Sequence, residues 1–317
     1  IINACRMVFG SAIKNISESL LIETVKNKYF EDNLNENIDE TEISFRHKEY
    51  KAFSDPRPHI DDRTDFDIIK QNLNDYDHNL CFFISELTLV TKLRETRVLT
   101  GFSRIVPVNV GEEKVPLIKH NKKIKWLPAN EVRGEGIFLK FDQEKLDQWY
   151  QKNQSFIENQ LIKYNEWIKK TVNENGINYA RLLDIKSNQK LDPYFILIHT
   201  FSHLLIKVLV HEAGYDSSSI RERIYISNDE KTKMYGLLIY TASGDAEGTL
   251  GGLVERGKPG NFDDTLTMLF ESEVCSNDPI CIETEKQGLK DLNGAACHSC
   301  CLLPETSCEH NNTLLDR

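Results

Sequence analysis

The chain has no excess of positive charge. Its 39 lysines and arginines are outnumbered by 49 aspartates and glutamates, leaving a formal net charge of −10. Non-specific affinity for nucleic acid comes chiefly from neutralising phosphates, so a surface that wraps DNA as a whole is excluded and any DNA contact has to be local. A second absence is the end of a Walker loop. Nowhere in the 317 residues does Gly-Lys precede Ser or Thr, the pair that reaches nucleotide phosphates and Mg²⁺, and there is no Asp-Glu-x-His box. The chain by itself is therefore not expected to hydrolyse ATP. Its first residues, Ile1-Ile2-Asn3-Ala4-Cys5, lack an initiator Met and a basic stretch ahead of a long apolar run. They read as neither a secretory signal nor a membrane anchor, but as part of a longer protein in the cytoplasm.

Cysteine is scarce until the end and then abundant. Six of the eight cysteines fall in the last 43 residues, as Cys275, Cys281, Cys297, Cys300, Cys301 and Cys308. A Cys-x-x-Cys pair with two further thiols at suitable spacing can surround one Zn²⁺, because thiolate sulfur is a soft donor and a short loop sets two sulfurs about 2.3 Å from one metal. The spacing favours Cys281, Cys297, Cys300 and Cys308 as ligands, with Cys275 as the alternative to Cys281 and Cys301 pointing elsewhere. Four protein ligands leave no open position, so such a zinc is structural. Disulfides are the rival use of these residues, but they belong to small secreted domains that cannot build a core.

Periodicity gives an α+β chain: a mixed α/β region over residues 1–130, then residues 131–317 as a helix–hairpin–helix domain with a four-cysteine zinc knuckle. Apolar positions from Ala12 to Phe30 and from Asp142 to Lys170 repeat at helical spacing, with Asp142 placed as an N-cap. A further helix opens at Pro193, runs to Glu212 and closes at Gly214. Residues 31–42 and 54–65 read as loops, Phe66 to Leu73 as a short element, and Leu80 to Leu93 as a strand running into a helix. Ile105 to Val110, Ile124 to Leu127, Gly136 to Phe141, Arg221 to Ser227 and Met234 to Thr241 read as strands, and Asp263 to Ser272 as a helix.

Three constellations invite chemistry. His199 and His203 stand four apart on one helix face, as two metal ligands would. Thr200 follows His199 where a zincin needs its catalytic Glu, which leaves buried, hydrogen-bonded histidines as the simpler reading. The run Ser243 to Leu253 is rich in glycine but has no Walker lysine. Its Asp245 and Glu247 could join His199 and His203 around a second metal in a zinc-dependent hydrolase or nuclease. Lys119 to Trp126 carries the most concentrated positive charge, so Lys122, Lys123 and Lys125, with Trp126 as a stacking platform, are the local candidates for DNA; a solvated turn would look the same.

Taken in order, His199-Thr200-Phe201-Ser202-His203, Arg221-Glu222-Arg223-Ile224-Tyr225, Gly236-Leu237-Leu238-Ile239-Tyr240, Gly248-Thr249-Leu250-Gly251-Gly252 and Ala296-Cys297-His298-Ser299-Cys300 resemble the MrfA-type zinc-binding (MZB) domain. The ending from Leu302 to Arg317, with Leu93 to Ile105 and Gly134 to Leu139 upstream, is similar to DrmB-like proteins of the DISARM anti-phage system. This resemblance implies an MZB module at about residues 193–317, a structural Zn²⁺ on the tail cysteines, and a non-catalytic subunit that assists DNA binding beside a DrmA-like helicase.

Overall fold

Stretches of alternating or continuous apolar residues build one antiparallel sheet in the order β1-β2-β5-β7-β6. Its strands are β1 (Phe66–Lys70), β2 (Ile84–Val98), β5 (Ala129–Phe141), β6 (Ile220–Ser227) and β7 (Met234–Thr241), while β3 (Gly101–Phe102) and β4 (Val115–Pro116) pair separately. The computed structural model describes residues 42–54, 65–99, 101–102, 115–116, 128–175, 191–241, 252–271, 274–288 and 291–317. The helix read at residues 12–30 and the strands read at 105–110 and 124–127 lie outside them. Two compact units are present, 1–46 and 47–317, and the sheet belongs wholly to the second. Residue 130 falls inside β5, and the sheet takes strands from both sides of the boundary read at 130/131.

Period-two alternation divides the sheet's side chains between two faces. On one face Phe138 and Tyr225 meet Tyr50 and Phe53 of α1 (Glu42–Ser54), with Phe53 stacked on Phe138 at 5.0 Å between centroids. The other face contributes Leu87, Leu89, Ile137, Leu139, Ile220, Ile224, Leu237 and Ile239 to the main core. Against it pack α4 (Phe195–Ala213) and α5 (Gly252–Arg256), and α6 (Asn261–Glu271) packs on those two helices. Leu205, Ile206 and Leu209 of α4 are fully enclosed, each contributing roughly 1.5–3 kcal/mol. Among the described residues α4 is the one helix long and apolar enough to cross a membrane. Its apolarity matches its place against the sheet.

Helix ends follow local chemistry. α3 (Gln143–Asn175) starts where the Asp142 carboxylate accepts from the Lys145 N–H at 3.0 Å, the cap read from the sequence. α4 begins at Phe195, two residues after Pro193, and ends at Gly214, whose φ of 69° only glycine adopts freely. Between Leu80 and Leu93 the order is the reverse of the sequence reading. The short α2 (His78–Cys81) comes first, capped by Asp77, and the β-branched run from Ile84 is all strand.

β2 and β5 outrun their neighbours. They pair from Ile84↔Phe141 to Val98↔Ala129, whereas β1 reaches only Leu93 and β7 only Gly136. Residues 94–98 and 129–133 therefore form a two-stranded ribbon beyond the sheet. Its end is closed by Leu99 N–H donating to the Pro128 carbonyl at 2.8 Å.

Candidate metal centre

The tail folds back on α4 in two arms. In the first, Cys275 follows α6, and the Asp278 carboxylate takes the Cys275 N–H at 2.8 Å and the Ile282 N–H at 3.1 Å, shaping the turn into α7 (Ile280–Glu283). Arg317 clamps that turn with two hydrogen bonds to Asp278, at 2.8 and 3.0 Å. In the second arm Cys297-x-x-Cys300 forms a tight knuckle, with Cys301 N–H on the Cys297 carbonyl at 3.0 Å. Lys207 of α4 secures it through the carbonyls of His298 and Ser299 at 3.0 and 2.9 Å.

The arms bring the sulfurs of Cys275, Cys281, Cys297 and Cys300 together. Cys275 and Cys297 are 3.5 Å apart, Cys281 and Cys300 3.8 Å, and Cys297 and Cys300 3.7 Å. A regular tetrahedron with metal–sulfur bonds of about 2.3 Å has edges of about 3.8 Å, so these spacings suit one Zn²⁺. They are far too long for disulfides, and all four cysteines are free. N–H groups turn toward the sulfurs, from Asn277 to Cys275 at 3.4 Å, from the Asn277 amide to Cys297 at 3.3 Å, and from Cys297 to Cys300 at 3.3 Å. Burial opposes ionisation of Cys297, but the Asn277 side chain, the Cys300 backbone, Cys275 and the Ser299 backbone hold its thiol down at about 5. Burial pushes Cys300 up to about 12. A divalent cation at the centre would make thiolates of all four.

Cys308 lies elsewhere. Its sulfur is 3.2 Å from His199 Nε2 and forms a second group with His199, His203 and Glu222, every member buried. So the structure joins three of the four favoured cysteines to the alternative, Cys275, and gives Cys308 to the histidines. The reason is topological. Between Cys301 and Cys308 the chain crosses to β6, where Ser307 accepts from the Glu222 N–H and donates to the Ser217 carbonyl. Cys301 joins neither group; it packs with Ala296 and Leu315.

His199 and His203 are fully enclosed and bonded to neighbouring segments, as read. His203 Nδ1 donates to the Cys301 carbonyl at 2.9 Å. Glu222 faces both histidines from β6, with Oε1 at 3.2 Å from His199 Nε2 and 3.5 Å from His203 Nε2. Burial keeps His199 below its ordinary pKa and raises the Cys308 thiol. Sequence reading missed Glu222. Its place between Ile220 and Ile224 on the core-facing parity of β6 was the available signal. Asp245, Glu247, Lys122, Lys123, Lys125 and Trp126 lie outside the described residues.

Residues 201–301 match the MrfA Zn-binding domain family. The chain carries an MZB domain. The matched segment contains all four clustered cysteines and ends at Cys301, before Cys308. Zinc is the metal this domain family binds, and the four-sulfur cluster of the MZB domain suits it as a structural site. The chain is also 33% identical over 300 residues to the DISARM protein DrmB of Bacillus paralicheniformis. That alignment covers 90% of this chain and 49% of DrmB, so the chain spans about half the length of that relative.

Proposed function

We propose that Cys275, Cys281, Cys297 and Cys300 hold one structural zinc, and that the chain is a non-catalytic subunit of a DISARM-type anti-phage system in the cytoplasm. Its partner is a DrmA-like helicase, and its task is to assist that helicase in binding DNA. The observation that carries this reading is the 33% identity to DrmB along 90% of the chain. The zinc reading rests on the sulfur spacings. In this reading the MZB module spans about residues 193–317, with α4, the β6–β7 hairpin and α6 as its helix–hairpin–helix frame.

Lys122, Lys123 and Lys125, beside Trp126, supply the local positive charge that an acidic chain needs to reach DNA. Co-purification of the chain with a helicase encoded beside it tests the assignment. A stable complex is expected, with ATP hydrolysis coming from the helicase; DNA-stimulated hydrolysis by the chain alone would contradict it. Within the complex, replacing the three lysines with Glu is expected to weaken DNA binding and lower the slope of affinity against salt by about one unit per lost phosphate contact.

A further inference from the structure

We propose that His199, His203, Glu222 and Cys308 form a second metal site, closed and structural, at the heart of the domain and separate from the four-cysteine cluster. One ligand atom from each residue lies within 4.8 Å of all the others. Three of the spacings, 3.2 Å from His199 Nε2 to Cys308 Sγ, 3.2 Å from His199 Nε2 to Glu222 Oε1 and 3.5 Å from His203 Nε2 to Glu222 Oε1, are close to the edges of a tetrahedron about Zn²⁺. With bonds of about 2.0–2.3 Å those edges are about 3.3–3.8 Å.

The hydrogen bonds point the same way. A carbonyl can only accept, so His203 carries its proton on Nδ1, toward Cys301. In the neutral ring Nε2 is then a bare lone pair. It is buried, makes no hydrogen bond, and faces a carboxylate oxygen that also has only lone pairs to offer. An imidazole fixed through Nδ1 on a carbonyl is the arrangement that orients a metal-binding histidine. Cys308 is prepared similarly, its sulfur accepting the N–H groups of His310 and Asn312, both at 3.3 Å. Glu222 gives its other oxygen to the Ser202 hydroxyl at 2.5 Å and receives the Glu309 N–H on Oε1 at 3.2 Å. Converging lone pairs in a dry interior are costly without a cation, and one carboxylate with one thiolate balances the charge of Zn²⁺. Four protein ligands in a buried setting leave no position for water or substrate, which separates this site from a hydrolytic one.

The test is metal content with X-ray absorption at the zinc edge, on the full chain purified with zinc and without chelators. Two zinc ions per chain are expected, sharing five sulfurs and three nitrogen or oxygen donors. The Cys308→Ala variant should retain one zinc in an all-sulfur shell. One zinc per wild-type chain with four sulfurs overturns the proposal, as does a Cys308→Ala variant that keeps two. One zinc with mixed sulfur and nitrogen donors supports it and instead overturns the four-cysteine site. The wild-type spectrum decides the matter if the variant does not fold.

Discussion

At the scale of single residues, neighbouring cysteines have different duties. Cys300 faces the sulfur cluster, whereas Cys301 turns into an apolar pocket and offers only its carbonyl to His203. Cys297→Ser or Cys300→Ser should therefore release zinc and unfold the C-terminal module, since binding of a structural metal is itself folding free energy. Cys301→Ala should keep its zinc; elemental analysis and circular dichroism on the three variants check this contrast. The sequence made the Cys-x-x-Cys legible because both sulfurs sit on one short loop. Cys308 lies beside the histidines and not in that cluster, because spacing along a chain does not say which way a longer tail turns.

Asp192 offers a test by pH. Its Oδ1 accepts the Tyr194 N–H at 3.0 Å while Oδ2 is buried without a partner, and burial raises the carboxyl to about 6. A raised acid favours the folded state fully below its unfolded pKa of about 4, and the benefit is lost as pH rises through about 6. Asp192→Asn should thus stabilise the protein at pH 7 by on the order of 1–3 kcal/mol. The difference should vanish below about pH 4. Urea titrations of both proteins across that range measure it, and a pH-independent difference would contradict the assigned cause.

At the scale of elements, helices with a full apolar stripe and a visible cap were the most legible. The Asp142 cap sits where the sequence puts it, and Asp142→Ala should cost about 1 kcal/mol, read as a shift in denaturation midpoint without a change in slope. Strand and helix could not be told apart in the apolar run after Leu80, because periodicity over so few residues fits both. Its partners settle it: Ile84 to Val90 are laddered to β5, and Thr88 to Val90 are flanked by β1 as well. Glu222 was missed for the converse reason. Its parity with Ile220 and Ile224 places it on the core face, but only the packing of α4 against that strand shows what it meets there.

At the scale of the whole molecule, residues read as two domains on either side of residue 130 share one sheet, since composition does not reveal which strands pair across long separations. The zinc-bearing tail is attached to α4 through Lys207 and Thr200 and to β6 through Ser307 and Glu309. Stripping zinc with a strong chelator should accordingly loosen residues 274–317 before the sheet. Hydrogen exchange would show early loss of protection there and late loss in β2, β5 and β7; simultaneous loss everywhere would mean that the metal holds the whole unit.

The closure of the β2–β5 ribbon has one more consequence. Residues 100–127 leave and re-enter at points one hydrogen bond apart, Leu99 to Pro128, and the two strands that anchor them are laddered from Val98↔Ala129 to Ile84↔Phe141. The polypeptide could therefore be severed within 103–114 and supplied as two genes. The halves should find each other, because the pairing that unites them lies wholly outside the cut. Expressed together, they should elute as one species with the parent's zinc content, a ready-made split protein whose reassembly can be switched on by whatever brings the halves into one cell.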